Sequence, residues 1–212
     1  MIHIPTHIVP FQFNEQTIAC YVPIELEVET WYQQQLLLNA EMPFPYWAKL
    51  WPSAIALCTY LTEHSILIKD KSVLELAAGI GLPGLIASQY ARTVTISDYI
   101  PEAVTVINTS INYNQLNNVT TALIDWNHLP ETLQPDVILM SDVNYDPKSF
   151  DALYLIFEQF IKKGKTIILS TPQRLWSKPF LIRLAPWFQH QQEIAVEQQG
   201  QTIYTTVWVL KK

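Results

Sequence analysis

Three of the chain's five glycines, Gly79, Gly81 and Gly84, lie within six residues of one another. Glycine allows a ligand to approach the backbone closely because it has no Cβ. A Gly-x-Gly-x-x-Gly turn between a strand and a helix is typical of sites that bind nucleotide-like cofactors. The spacing therefore predicts a cofactor-binding turn.

An acidic residue follows this turn where a ribose would need one. Asp98 ends the next predicted strand. A carboxylate at that position can accept hydrogen bonds from both ribose hydroxyls of an adenosine group. Asp98 and the glycines together predict a cofactor that contains a nucleoside.

The surroundings of the turn distinguish between such cofactors. Glu75 precedes the glycines, where it would repel the pyrophosphate of a dinucleotide at the helix N-terminus. The aromatic-rich segment 1–71 and a predicted C-terminal hairpin are also not typical of a plain dinucleotide fold. S-adenosylmethionine, a sulfonium cation without phosphate, fits these features better. An NAD-dependent oxidoreductase is the alternative from a different class.

Further polar residues follow the third and fourth predicted strands. Asp125 and Trp126 offer a carboxylate to an adenine and an aromatic face for it to stack on. Asp142 and Tyr145 follow the fourth strand, and Ser141 is next to them. If the cofactor transfers its methyl group to an amine, Asp142 could orient that amine, and Tyr145 could hydrogen-bond it or line its pocket. Both are therefore predicted catalytic residues. Asp142 as a helix cap is the structural alternative, although Asp146 suits that role better.

Alternating strand and helix patterns would position these residues. The strands are predicted at 72–76, 93–97, 121–124, 136–140 and 165–170, and the helices between and after them at 82–91, 101–116, 147–161 and 178–188. Such alternation predicts a parallel sheet with right-handed crossovers. Two further strands, 191–196 and 202–210, join at Gln199-Gly200 as an antiparallel hairpin. We therefore expect an α/β fold with a seven-stranded, mostly parallel sheet and helices on both faces.

The N-terminal part shows a different pattern. Residues 8–13 and 17–22 alternate around a short turn and predict a β-hairpin, and residues 53–61 have helical spacing. The prolines within 31–50 are expected to limit regular structure there. We expect an extension on the substrate side at 1–50 and a cofactor-binding domain at 51–212.

Four motifs taken in order resemble methyltransferase family 16 of the seven-β-strand class I methyltransferases. They are Leu50–Ala54, Glu75–Leu82, Asp125-Trp126 and Ser141–Tyr145, the last containing the family's Asp-x-x-Tyr signature. The family comprises protein-lysine methyltransferases and proteins similar to nicotinamide N-methyltransferase. The resemblance covers about residues 45–175 and implies S-adenosylmethionine as the cofactor.

The motifs and the resemblance together give one predicted cofactor site. Its members are Trp51, Glu75, Ala77, Ala78, Gly79, Gly81, Asp98, Asp125, Trp126 and Ser141. Ala77 departs from the family, which usually has glycine there. We expect this departure to cost little because the closest ligand approach is at Gly79 and Gly81.

The expected activity is methyl transfer to nitrogen, with a protein lysine as the acceptor. The Asn/Asp-Pro-Pro-Tyr motif of methyltransferases that act on planar amides is absent, which favours a basic amine. The alternatives are a small-molecule amine as acceptor and a cofactor-binding protein without turnover.

Tyr46 and Trp47 could join Trp51 in an aromatic wall, with core packing as the alternative for Trp47. Arg174 and Trp176 could line the substrate entrance or belong to a surface loop.

Composition limits the class of protein. Hydrophobic residues make up 49% and charged residues 15%, which excludes intrinsic disorder. The net charge of −6 argues against nucleic acid or an anionic membrane as a partner. Cys20 and Cys58 are expected to be buried thiols, and the five scattered histidines (His3, His7, His64, His128 and His190) predict no metal site. The N-terminus lacks a signal-peptide pattern, so we expect a cytoplasmic protein. We also expect a monomer as the simplest oligomeric state.

Overall fold

The N-terminal residues form an antiparallel β-hairpin. The structure is a computed structural model that describes residues 4–212, apart from the side chain of Leu175. Strand β1 (Thr6–Phe13) pairs with β2 (Gln16–Pro23), and Asn14, at the turn between them, has a φ of +51°. The predicted hairpin is therefore confirmed. The first three residues of the predicted extension 1–50 lie outside the described residues.

A helix that the sequence analysis did not predict follows the hairpin. Helix α1 spans Glu25–Leu38, across residues that we expected to be strand or irregular. Val28 is its one buried residue, so the helix has no buried apolar stripe whose periodicity would reveal an amphipathic helix. The prolines Pro43 and Pro45 lie beyond its end and do not interrupt it.

The remaining chain alternates helices and strands as the patterns predict. In chain order the elements are α2 (Pro52–Glu63), β3 (Ser72–Glu75), α3 (Leu82–Ala87), β4 (Thr93–Asp98), α4 (Pro101–Tyr113), β5 (Val119–Leu123), β6 (Val137–Ser141), α5 (Phe150–Lys162), β7 (Thr166–Pro172), α6 (Lys178–Leu184), β8 (Phe188–Gln198) and β9 (Gln201–Leu210). All four helices predicted between and after the parallel strands are shorter than expected, and α3 and α4 end four and three residues early. A 3₁₀ turn at Pro147–Ser149 precedes α5, where Asp146 accepts the backbone N–H of Lys148, and Phe188 already begins β8.

Seven strands form one sheet in the order β5-β4-β3-β6-β7-β9-β8. Strands β3 to β7 are parallel, whereas β9 runs antiparallel to both β7 and β8. The predicted fold class is confirmed. The chain leaves β3 towards β4 on one side and returns to β6 on the other, so the strand order reverses between β3 and β6. Open α/β sheets bind ligands at such a switch point.

Apolar side chains cover both faces of the sheet. Helices α2, α3 and α4 and the N-terminal hairpin contribute to one cluster, which includes Leu57, Ile107 and the buried thiol Cys20. Helices α5 and α6 pack on the other face through residues such as Phe157 and Phe180. The predicted burial of Cys20 and Cys58 is confirmed. Within residues 4–212, no helix combines the length and apolar character needed to span a membrane.

Candidate active site

The predicted site residues meet at the carboxyl edge of the sheet. The glycine turn follows β3, Asp98 ends β4, and Ser141 ends β6 with Asp142 directly after it. Strands β4 and β6 are the two neighbours of β3, so these groups flank the switch point from both sides. The parallel sheet thereby brings together residues that are distant in sequence.

The glycine turn is shaped by close approach of the protein's own chain. Gly79 has a φ of +58°, a left-handed conformation that disfavours residues with a Cβ. A Cβ at Gly79 would lie 3.0 Å from the carbonyl oxygen of Trp47. The 3₁₀ turn at Tyr46–Ala48 therefore lies directly against the glycine turn.

The carboxylate of Asp98 fixes the turn to the end of β4. Its Oδ2 atom accepts the backbone N–H of Gly79 at 2.8 Å, and its Oδ1 atom accepts that of Ile100 at 3.0 Å. Burial raises the pKa of Asp98, and hydrogen bonds from the backbone of Gly79 and Ile100 partly oppose this effect. A carboxylate has about four acceptor sites, so Asp98 keeps acceptor capacity for a ribose hydroxyl beyond these backbone contacts.

Glu75 lies beneath the turn and is fully buried. Its Oε2 atom accepts the backbone N–H of Gly84 at 2.7 Å. Burial raises the pKa of Glu75 to about 8, a backbone hydrogen bond from Gly84 lowers it, and the charge of Asp98 raises it. This contact joins β3 to the start of α3, whereas a cofactor contact of Glu75 stays a prediction.

The two alanines of the turn differ in conformation. Ala77 has a φ of +52°, in the left-handed region, where an L-residue with a Cβ is strained. The expectation that alanine costs little at this position is therefore wrong, since the backbone itself favours the family's glycine. Ala78 is buried and donates its N–H to the carbonyl of Ser97 at 2.9 Å.

Asp125 and Trp126 lie after β5 on a 3₁₀ turn. The Oδ1 atom of Asp125 accepts the backbone N–H of Asn127 at 2.9 Å, and its Oδ2 atom lies 2.9 Å from Nδ1 of His128. These partners lower the pKa of Asp125, the backbone hydrogen bond from Asn127 first. Trp126 is half-buried against the apolar cluster under α5. Asp125 therefore shapes the turn, and its predicted contact with adenine stays a prediction.

Asp142 is paired with an arginine from the end of the neighbouring strand. Arg174 follows β7, and its guanidinium makes two hydrogen bonds to the carboxylate, one of them between Nη2 and Oδ2 at 3.0 Å. Asp142 has a φ of +56° and donates its backbone N–H to the carbonyl of Ser170 at 2.8 Å. The predicted amine-orienting carboxylate thus already holds a cation.

Three aromatic rings cover this edge of the site, and we call them the aromatic wall: Tyr46, Trp51 and Tyr145. The ring of Tyr46 lies 5.2 Å from that of Tyr145 and 5.9 Å from that of Trp51. The indole N–H of Trp51 donates to the carbonyl of Tyr46 at 2.9 Å. Trp47 packs instead on a small apolar cluster with Val28, which favours the alternative of core packing for this residue.

Asn144 is a further polar residue at this edge that was not among the predicted site residues. It lies between Asp142 and Tyr145, is fully buried, and neither atom of its amide has a hydrogen-bond partner among the described residues. A buried amide without partners is costly, so a polar group of a ligand would relieve it. Its position inside the Asp-x-x-Tyr motif was the available signal. Arg174 was a candidate for the substrate entrance, and its contact with Asp142 follows from its place after β7, the strand next to β6.

The arrangement fits S-adenosylmethionine. Asp98 keeps acceptor capacity beside the glycine turn, Trp126 presents a half-buried ring, and Asn144 supplies unpaired polar atoms. The acidic side chains at this edge suit a cationic cofactor better than a phosphate-bearing one. Among residues 4–212, which exclude His3, no group of three or more His, Cys, Asp or Glu side chains is placed to hold a metal ion.

Comparison with known proteins gives a family match over most of the chain. Residues 33–186 match a family model described as "Lysine methyltransferase". The complex of the N-methyltransferase NodS from Bradyrhizobium japonicum with S-adenosyl-L-homocysteine has a similar fold. Its TM-score is 0.57 at 12% identity, and the match covers 84% of this chain and 98% of that one.

Three relatives illustrate different acceptors. The chain is 30% identical to rat "Histone-arginine methyltransferase METTL23" over 148 residues, 67% of this chain and 63% of that relative. It is 31% identical to Xenopus tropicalis "Protein N-lysine methyltransferase METTL21A" over 131 residues, 60% of this chain and 61% of the relative. It is 35% identical to the Dictyostelium discoideum "Histidine protein methyltransferase 1 homolog" over 129 residues, 58% and 42% of the two chains. The chain spans less than two thirds of the length of each of these relatives.

Proposed function

Because the chain belongs to the lysine methyltransferase family, family 16 of the class I methyltransferases, we propose that it methylates a side-chain nitrogen of a protein, with lysine as the acceptor. Membership confirms the predicted family, the methyltransferase class and S-adenosylmethionine as the cofactor. The seven-stranded sheet with its antiparallel end agrees with this assignment.

The observation that carries the proposal is a cation-binding carboxylate at the carboxyl end of β6. Asp142 is 7% exposed and binds the guanidinium of Arg174 next to Ser141. A carboxylate that holds one cationic side chain there can orient the cationic side chain of an acceptor. The family resemblance implies a contact of Ser141 with the cofactor, and with that contact Asp142 would lie beside the group that is transferred.

The residues around Asp142 supply positioning. Bound S-adenosylmethionine supplies an electrophilic methyl group, and an in-line displacement requires chiefly that the acceptor nitrogen be held in place. Partial burial raises the pKa of Tyr145. Its phenol therefore stays protonated at neutral pH and acts as a wall and hydrogen-bonding group. The aromatic wall would exclude water from the acceptor nitrogen on one side.

Arginine is a second candidate acceptor, and one feature of the site favours it. The Asp142 carboxylate receives both nitrogens of a guanidinium, the bidentate geometry that arginine offers and lysine does not. The rat relative is named a histone-arginine methyltransferase. The two acceptors give different methylated amino acids and are therefore separable by experiment.

The test is incubation of the protein with tritiated S-adenosylmethionine and a lysate from cells that lack it. A labelled protein band that yields methyl-lysine on hydrolysis supports the proposal, and methyl-arginine supports the second candidate. Asp98→Asn is the matched control, since we expect this variant to fold and to bind the cofactor at least tenfold more weakly than wild type. Label confined to the small-molecule fraction would instead assign a small amine as the acceptor.

A further inference from the structure

Arg174 and Asp142 form an ion pair that is largely removed from water. The side chain of Arg174 is 19% exposed and that of Asp142 is 7% exposed. Two hydrogen bonds join them, and in the described part of the chain the guanidinium has no other charged partner. A pair so placed neutralises the carboxylate that would orient an acceptor.

An incoming acceptor therefore meets a carboxylate that is already occupied. A lysine or arginine side chain can contact Asp142 in the same way only if Arg174 leaves. Removal of Arg174 without a substitute would strand a buried charge, which is strongly unfavourable. The cation of the acceptor would be that substitute, so exchange keeps the carboxylate paired throughout.

The structure provides space for Arg174 to leave. Arg174 also lines a cavity of about 470 Å³ between the end of β7, helix α6 and the β8–β9 hairpin. Glu193 lies in the same lining and already accepts a hydrogen bond from Gln173, the residue before Arg174. The cavity lining therefore includes a second carboxylate, together with the cationic side chain of Lys178.

The backbone at Arg174 is also held by contacts that do not involve its side chain. Its carbonyl accepts hydrogen bonds from the backbone N–H of Ser177 at 3.1 Å and from the hydroxyl of that residue at 2.8 Å. The loop after β7 is held by these bonds. Neither bond is lost when the guanidinium alone changes position or is replaced.

We propose that Arg174 is a specificity-determining residue: it occupies on Asp142 the place of the acceptor's cationic side chain and moves to Glu193 when the acceptor binds. The proposal rests on the protein methylation proposed above. Arg174 thereby excludes ligands that bind Asp142 more weakly than its own guanidinium does, including water and small amines. An acceptor must bring further contacts from its protein to displace it.

The first test measures binding with the full chain saturated with S-adenosylhomocysteine. The probes are N-acetyl-arginine amide and N-acetyl-lysine amide, titrated into wild type and into Arg174→Gln. We expect at least one probe to bind the variant tenfold or more tightly than wild type. Arg183→Gln is the matched control, since Arg183 pairs with Asp151 on the exposed surface of α6. Equal affinity of both probes for wild type and Arg174→Gln would overturn the proposal.

The second test separates displacement from a permanent positioning role. With the labelled protein acceptor, Arg174→Gln should lower KM severalfold and largely preserve kcat, and Glu193→Gln should raise KM because the displaced guanidinium loses its partner. A fall in kcat with unchanged KM would make Arg174 a fixed partner of Asp142 and refute the exchange. If Arg174→Gln does not fold, Arg174→Lys is the second variant. Lysine keeps the charge but cannot bind both carboxylate oxygens as a guanidinium does, so KM should fall by a smaller factor.

The two proposals fail in different ways. If wild type labels no protein, the proposed function fails, and the amide titrations still report whether Arg174 blocks Asp142. If wild type labels a protein and neither the titrations nor KM responds to Arg174→Gln, the role of Arg174 alone is refuted.

Discussion

The Oε2 atom of Glu75 lies 2.7 Å from the backbone nitrogen of Gly84, and a Cβ at Gly84 would lie 2.6 Å from the same oxygen. The absence of a Cβ at Gly84, the third glycine of the motif, therefore makes room for a buried carboxyl group of the protein and not for a ligand. The other oxygen of Glu75 is buried without a hydrogen-bond partner among the described residues. This pair ties the end of β3 to the first turn of α3 and makes stability depend on pH.

Glu75→Gln should flatten the pH dependence of stability. Burial raises the pKa of Glu75 from its ordinary value of 4.5 to about 8, so the folded protein keeps a proton that the unfolded chain releases between these values. Stability should therefore fall as pH rises through this window, by up to about 1.4 kcal/mol per pH unit from this group. Urea unfolding at pH 5, 6, 7 and 8 measures the slope. Glu29 is exposed, so Glu29→Gln should leave the slope of stability against pH unchanged. A slope for Glu75→Gln equal to that of wild type would contradict the raised pKa of Glu75.

Ala77→Gly should stabilise the protein by about 0.5–1 kcal/mol. The left-handed backbone of Ala77 costs an alanine about 1–2 kcal/mol, and the greater freedom of glycine in the unfolded chain offsets part of the gain. Thermal unfolding measures the change. Ala78→Gly is the matched control, because Ala78 is outside the left-handed region and should lose stability. A loss of stability in both variants would show that Ala77 is not strained.

Asp98→Asn should weaken S-adenosylmethionine binding at least tenfold. The substitution removes the negative charge and half of the acceptor capacity that hold Gly79, Ile100 and the expected ribose hydroxyls. Since a hydrogen bond to a charged group contributes about 1.5–3 kcal/mol, loss of one such bond accounts for a tenfold or larger loss of affinity. Isothermal titration gives the affinity. Asp136→Asn is the control, since Asp136 binds Ser72 at the opposite edge of the sheet. Unchanged affinity in a folded Asp98→Asn variant would place the ribose elsewhere.

Asp142→Asn should lower kcat/KM for methylation about a hundredfold, the scale expected for loss of one positioned group. The side chain keeps its shape and loses the charge that orients the acceptor, so affinity for the cofactor should change little. Both quantities are measured on one preparation. Asp151→Asn, which disturbs the exposed pair with Arg183, should change neither. Lost cofactor affinity with normal turnover at saturation would make Asp142 a cofactor ligand.

Asn144→Leu should stabilise the protein without ligands and impair methylation. Leucine has a similar shape and removes two buried polar atoms that lack partners, and each such group costs about 1–3 kcal/mol. The melting temperature of the ligand-free variant should rise, whereas kcat/KM should fall because a ligand loses its hydrogen bond. Asn118→Leu is the contrasting variant, since Asn118 donates to the carbonyls of Ser88 and Ala91 and should lose stability. A more stable variant with full activity would show that Asn144 binds no ligand.

Local patterns were sufficient for the fold class and for most of the site. Strand and helix periods alternate along the chain, and short connections leave a parallel sheet as the consistent arrangement. The glycine turn, Asp98 and Asp142 could be assigned to one edge because each follows a strand. Helix α1 was not predicted because most of its surface is exposed. Its sequence therefore lacks the periodic apolar positions of a helix with one buried face.

Side-chain contacts between distant segments required the tertiary structure. The pattern identified Asp142 as a carboxylate at a strand end, but pairing of β6 with β7 in the register Ser141 to Ser170 brings Arg174 against it. In the same way, the approach of Trp47 to Gly79 explains a glycine that the sequence could assign only to a ligand. The sequence by itself determined which residue types stand at the edge of the sheet, because strand ends follow from local periodicity. Which of those side chains pair with one another was decided only by the folded structure, because pairing depends on sheet register and on the directions of side chains from separate strands.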